Sequence, residues 1–421
     1  MILPCRIHQP RNLFNPLSFA FLFTVCLLAP VTEGMGQYAA SSTSEETGVS
    51  WLPSVPLQIT AGVDIGYDDN VIGASNTTTN SSGQSSFFAR ENLVLSYDRP
   101  GEQTEVRLLA VGRFAQFFDV GTDDKDGNVT LSLTHNFSTR LSFRADIYGA
   151  YQTEPNFQSN VGPENVRAPH FDTNDIFSVT YHWLPRVSTV TSYTFRRIKY
   201  ESSSSSSSSS SSVGLSQDRF QNTLGERLQF SLTRRTNLVG EYRFEIVDYD
   251  TAPRDSMTHF ALAGFDHRLT EHLMINVLGG ESFRSLKDDG DTIDPYLEAK
   301  LDYQGSNHSV SWTTSYGVEQ PSTATASGAT AIRTGLNATY RLTSRINSRA
   351  AVYYNHSDNQ GTSGTGSAGS QDALQFTLGL TYTINKHFAL HVDYEHTAQS
   401  SSGGTSGYSR NRYFGGLTYT Y

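Results

Sequence analysis

The residues best equipped for chemistry lie close to the C-terminus. His387, His391, Asp393 and Glu395 recur at even spacing, so in an extended chain they share one face. A histidine beside a carboxylate is the material of general acid/base hydrolysis, the carboxylate orienting the ring. No nucleophile signature accompanies them: the chain has no GxSxG, GxxxxGK[ST], HExxH or CxxC. Gly364, Gly366 and Gly369 satisfy GxGxxG, but they sit in a Gly/Ser-rich loop leading into a strand, with no helix N-terminus to meet a phosphate. Asp123, Asp124, Asp126 and Gly127, echoed by Asp288, Asp289 and Asp291, have the flavour of half a calcium loop without the glutamate that completes it. They predict solvated acidic loops, and the sequence predicts no cofactor and no metal centre. The simplest role for the histidine row is polar lining of a water-filled passage; a hydrolase using His391 with Asp393 is the competing reading.

What would position such a row is a long strand, and the chain is full of them. Leu57, Ile59, Ala61, Val63, Ile65 and Tyr67 alternate against Gln58, Thr60, Gly62, Asp64 and Gly66, a segment about twice the length usual in soluble sheets. About eighteen such segments follow one another to Tyr421, among them ones starting near Val129, Thr330 and Arg410. Short turns, such as Ser138 with Thr139 and Thr343 with Ser344, alternate strictly with long Gly/Ser/Asp-rich stretches. Of the latter, Ser202 to Ser212 is an unbroken serine run suited only to an exposed loop. One face of most strands is apolar: Leu141, Phe143, Ala145 and Ile147, or Phe388, Leu390, Val392 and Tyr394. Aromatics gather near the short turns, at Tyr97, Phe137, Trp183, Phe230, Tyr303, Tyr340, Tyr382, Phe388 and Tyr421. Strands this long, turns of two unlike lengths and an aromatic girdle predict a transmembrane antiparallel up-and-down β-barrel of about 18 strands, range 16 to 20, over 57–421, with periplasmic turns and extracellular loops. Two expectations stand open. Glu91 and Glu226 fall on the oily face, calling for a bulge or a one-residue slip, and the strand from Met257 to Leu269 is apolar on both faces.

Composition agrees. Charged residues are 17% and aromatics 12%, with Tyr 22 and Phe 24, a bias toward β structure. The formal net charge of −10 argues against a nucleic-acid partner, which needs a basic surface. Both cysteines, Cys5 and Cys26, lie in an N-terminal segment where Arg6 and Arg11 precede an apolar core, Leu17 to Ala29, and Gly34 and Gly36 precede Gln37. This reads as a secretory signal peptide over 1–36, cleaved in the mature chain, with an uncleaved anchor as the other possibility. Residues 37–56 read as a periplasmic lead-in.

The last strand, with Tyr413, Leu417, Tyr419 and Tyr421 on its apolar face, resembles the closing strand of bacterial outer-membrane barrels. That resemblance implies an assembly signal for the barrel-assembly machinery. Gly66, Tyr67, Asp68, Asp69 and Asn70, at the end of the first strand, resemble the Gly-Tyr-Asp-x-Asn of the putative β-barrel porin 2 family, some of whose relatives accompany exopolysaccharide clusters. The resemblance implies the bacterial outer membrane, with its lipids as surroundings, more firmly than any substrate.

On the faces assigned to the lumen, Arg107, Arg113, Arg140, Arg144, Arg243, Arg333 and Arg349 stand with Glu241, Glu245, His391, Asp393 and Glu395, and arginines outnumber acids. The functional expectation is a non-enzymatic diffusion pore for small hydrophilic solutes with a mild anion preference. The alternatives are a conduit for polysaccharide export and the hydrolase above. Arginines that merely brace the wall against neighbouring acids would give no such preference.

Overall fold

The structure is a computed structural model that describes residues 56–73, 84–154, 169–201, 217–251, 254–287, 290–321, 326–361, 369–402 and 407–421. The predicted export segment, all but Pro56 of the lead-in, and the serine run lie outside these. The chain forms β1 (Leu57–Asp68), β2 (Ser86–Arg99), β3 (Thr104–Phe117), β4 (Asp123–Asn136), β5 (Leu141–Gln152), β6 (His170–Leu184), β7 (Val187–Tyr200), β8 (Arg219–Ser231) and β9 (Thr236–Tyr249). It continues through β10 (Ser256–Arg268), β11 (Leu273–Leu286), β12 (Gly290–Gln304), β13 (His308–Glu319), β14 (Ala326–Arg341), β15 (Ile346–Gly361), β16 (Ser370–Thr383), β17 (Phe388–Ser401) and β18 (Tyr408–Thr420). Each strand pairs antiparallel with the next, and β1 pairs with β18, closing an 18-stranded sheet on itself. Closure leaves no unpaired edge, the condition a sheet must meet to stand in lipid.

Burial is inverted relative to a soluble protein. On β1, Val63 and Ile65 are 56% and 67% exposed while Asp64 between them is fully buried. The apolar faces point outward all round the ring, with Leu224, Leu238, Ile293, Leu336, Leu380 and Val392 exposed, and the polar faces point inward. Phe137, Trp183, Phe230, Tyr340, Tyr382 and Tyr421 are exposed at the short-turn end, where an interfacial girdle belongs. Three of the short turns share a device: a side-chain oxygen caps the amides two and three residues further on. Ser138 Oγ accepts from Arg140 N and Leu141 N at 3.2 and 3.1 Å, Thr343 Oγ1 from Arg345 N and Ile346 N at 3.2 and 3.0 Å, and Asn385 Oδ1 from His387 N and Phe388 N at 2.8 and 3.0 Å. These are local hydrogen bonds that favour turns over continued strand.

Three expectations are revised. β4 begins at Asp123, not near Val129, because its first residues pair with β3 from Gln116 to Gly112; their charges mask an alternation that the backbone nonetheless follows. Asp123, Asp124 and Asp126 therefore belong to a strand, where successive side chains leave on opposite faces and do not converge on an ion. Glu91 and Glu226 need no bulge: pairing runs unbroken through Val63↔Glu91↔Phe114 and Thr191↔Glu226↔Tyr242. Both carboxylates are exposed on the outer face, Glu226 accepting from Thr191 Oγ1 at 2.6 Å. β10 owes its double apolar character to an inner cluster in which Phe260 and Leu262 pack with Val239 and Leu278 beside Tyr296. Its outer face carries Met257 and Phe265.

Candidate functional site on the inner face

The inner face is lined by ion pairs, many spanning more than one strand. Arg349 on β15 donates to Asp393 on β17 at 2.8 Å, passing over Gly379 of β16, where any Cβ would collide with both side chains. Arg243 on β9 reaches Glu298 on β12 at 2.8 Å and also holds Glu241. Arg227 joins the same group through Glu241 at 3.3 Å and Asp266 at 3.1 Å. Arg333 grips Glu319 with two contacts of 2.5 and 2.6 Å, and Arg144 donates to Asp146 at 2.9 Å. Glu245 accepts from Gln221 Nε2 at 2.8 Å, and Glu395 from Gln375 Nε2 at 2.7 Å. Arg113 faces Asp126 across the β3–β4 ladder. Arg107, at the short-turn mouth, pairs with Glu105 and lies 3.6 Å from Asp98. Arg140 is the exception among the expected lining residues: it falls on the exposed turn between β4 and β5, because the capping bonds of Ser138 hold Arg140 in the turn and β5 starts one residue later, at Leu141.

The histidine row is assembled for structure. His391 Nε2 lies 2.9 Å from Asp64 Oδ1 on β1 but 3.9 Å from Asp393, whose own partner is Arg349. Asp64 is held further by Arg90 at 2.7 Å and Asn92 at 2.7 Å, so the group cross-braces β1, β2 and β17. Asp64, Asp172, Asp266 and Glu319 were absent from the sequence-based tally of inner acids, yet each holds an arginine. Arg90, Arg284 and Arg410 were absent from it as well, so what reduces the expected arginine excess is the pairing: most inner arginines face an acid. Plain alternation from their apolar neighbours would have found the missing acids.

The Gly66–Asn70 motif forms the seam where the first strand meets the last. A Cβ at Gly66 would strike the Phe88 ring, the Tyr413 carbonyl and Phe414, so glycine lets the aromatic rings pack over the strand. Tyr67 points outward, its ring 5.2 Å from that of Phe87. Asp68, fully buried, receives Arg410 at 2.8 Å and Arg412 at 3.2 Å. Asp69 accepts from both the backbone and side-chain nitrogens of Asn411 at 2.7 Å, and Asn70 Nδ2 donates to Ser409 O at 3.0 Å. Tyr413, Leu417 and Tyr419 leave β18 on its outward face, exposed.

One contact crosses the interior. Glu154, just past the end of β5, accepts from Arg410 and Arg412 of β18 at 2.7 Å each. Five strand spacings of about 4.8 Å separate β5 from β18 around the wall, an arc of roughly 24 Å. Side chains cannot bridge that, so the chain dips inward at Glu154. Burial raises the Glu154 pKa, but Arg410 and Arg412 outweigh it and bring the group down from 4.5 to about 2.

A family model described as Putative beta-barrel porin 2 matches residues 60–421. No curated protein matches the chain in sequence. Solved structures with a similar fold include the outer membrane protein OpdK of Pseudomonas aeruginosa, 13% identical over 87% of this chain and 99% of that one, with a TM-score of 0.43. OccAB4 of Acinetobacter baumannii is 11% identical over 87% and 98%, TM-score 0.41; the P. aeruginosa siderophore receptor PirA is 12% identical over 87% and 80%, TM-score 0.38. With the closed ring, the inverted burial and the seam motif on the page, and a family model matching nearly all of the strand-forming chain, the protein belongs to the Putative beta-barrel porin 2 family.

Proposed function

We propose that the protein is a pore of the bacterial outer membrane through which small hydrophilic solutes diffuse, its long loops outside the cell and its short turns in the periplasm. The observation that carries this reading is the inversion of burial: a closed 18-stranded ring turns oily side chains outward and buries its charges within. A barrel of this strand number encloses an aqueous interior wide enough for solutes. The walls are polar but nearly balanced, since most inner arginines answer to an acid, so selectivity for anions is weak. Export through the cell envelope rests on cleavage of the N-terminal segment before Gln37. Planar bilayers carrying the purified protein are expected to show stepwise conductance in potassium chloride, with a reversal potential slightly on the anion side under a salt gradient. A heat-modifiable, folded preparation that never conducts would overturn the pore reading.

A further inference from the structure

Among the described residues, two buried arginines of the inner face have no carboxylate within ion-pair distance. Arg219, the first residue of β8, and Arg284, near the long-loop end of β11, are 5% and 2% exposed. Arg219 Nη1 stands 3.5 Å from Gln217 O. Arg284 donates to Glu319 O at 3.2 Å and to Gln320 Oε1 at 3.0 Å, with Ser256 Oγ at 3.5 Å. The Nε of each meets no acceptor. Both converge on Tyr249, the last residue of β9. The Arg219 guanidinium lies 5.8 Å from its ring, and Tyr249 Oη donates at 3.3 Å to the Gln320 oxygen that Arg284 also reaches. A third guanidinium, Arg254, sits 4.4 Å over the same ring and donates to Ala326 O at 3.2 Å.

Asp294 on β12 and Glu245 on β9 lend Arg284 some of their field, but neither comes within ion-pair distance of it, and the carboxylates of Glu245 and Asp255 are occupied elsewhere. Glu245 is taken by Gln221 and Thr223, and Asp255 by Lys287 at 2.7 Å and the Tyr249 amide. Burial, and the charges of Arg219 and Arg284, press Arg254 below the ordinary arginine range against the opposing influence of Tyr249. The three cations therefore feel one another. Cations gathered this way in a desolvated corner are costly unless an anion joins them. Guanidinium forks match the paired oxygens of carboxylate and phosphate. Gly328 adds to the fit: a Cβ there would stand 3.1 Å from Arg284 Nη1, so glycine keeps that edge of the fork clear. The strand ends involved all lie on the side of the barrel opposite the short turns, which puts the cluster at one mouth.

We infer that Arg219, Arg254 and Arg284, gathered around Tyr249, form a saturable binding site for the carboxylate or phosphate group of a small solute entering at the long-loop mouth. The site rests on the pore reading for its role, since it would select which solutes dwell at the entrance. Thermal unfolding of the purified barrel tests it, with inorganic phosphate, galacturonate or neutral galactose added at matched ionic strength. Phosphate or galacturonate is expected to raise the melting temperature saturably, which of the two does so identifying the oxyanion; galactose is expected to have no effect. Arg219→Gln and Arg284→Gln are each expected to weaken the anion's apparent affinity at least tenfold. Should Arg284→Gln fail to give a heat-modifiable barrel, Arg219→Gln, at a strand terminus, carries the comparison. No saturable shift with either anion, or an unchanged one in folded Arg219→Gln, overturns the site. Conductance measured on the same preparations separates the two ideas: a barrel that conducts without binding either anion loses the site alone, and one that binds without conducting loses the pore.

Discussion

Glu154 offers the sharpest perturbation of the pore, because one carboxylate ties the chain after β5 to the far side of the seam. Its pKa falls from 4.5 to about 2 through Arg410 and Arg412. At about 1.4 kcal/mol per pH unit, that gap makes the tether worth about 3 kcal/mol at neutral pH, or roughly two orders of magnitude in the balance between tethered and released chain. A depressed carboxyl pKa contributes fully above 4.5 and loses its contribution as pH falls through about 2. Wild-type channels are therefore expected to be quiet at neutral pH and to become noisier, with larger open current, as pH drops below about 4. Glu154→Gln removes the charge without changing the shape, so its channels should already show the larger, noisier current at pH 7 and change little on acidification. Single-channel recordings of both proteins between pH 3 and pH 8 provide the measurement. Indistinguishable traces across that range would refute the tether, because two arginines would then have held a glutamate without consequence for the passage.

Gly66→Ala places a methyl against the Tyr413 carbonyl and the Phe88 ring; overpacking of this kind costs about 1–3 kcal/mol, and a reduced yield of heat-modifiable barrel on gels would register it. Glu226→Leu removes an acid from the oily face, where even the costlier Arg or Lys at the bilayer midplane amounts to about 2–4 kcal/mol. Urea unfolding in lipid should shift toward stability by about 1 kcal/mol, and a shift the other way would mean that the Thr191 contact outweighs the cost of the charge.

Most of the architecture was legible because the strands repeat a period of two with oily residues on one side, and lipid enforces that pattern strand after strand. β4 resisted because Asp123, Asp124 and Lys125 at its start carry no apolar alternation; pairing with β3, not side-chain pattern, makes them a strand. Inward placement of Arg243, Glu241 or Asp393 follows from counting along the strand. Their partners do not, since Arg349 finds Asp393 two strands away and His391 finds Asp64 across the seam. Arg254 was illegible for a further reason: it lies on a connection, where no period exists to assign a face.

The seam has a bearing on how the barrel comes to exist. Asp68 and Arg410 are 342 residues apart, so their meeting must await synthesis of nearly the whole chain and bears the loop-closure entropy of a very long loop. Until then β1 and β18 are open edges, free to pair with any exposed strand. An edge that ends in two successive aspartates, the first of them fully buried, is a poor match for a chance partner, which would have to supply arginine and asparagine at the right heights. The first and last strands are thereby made selective for each other, favouring closure within one chain over exchange between two.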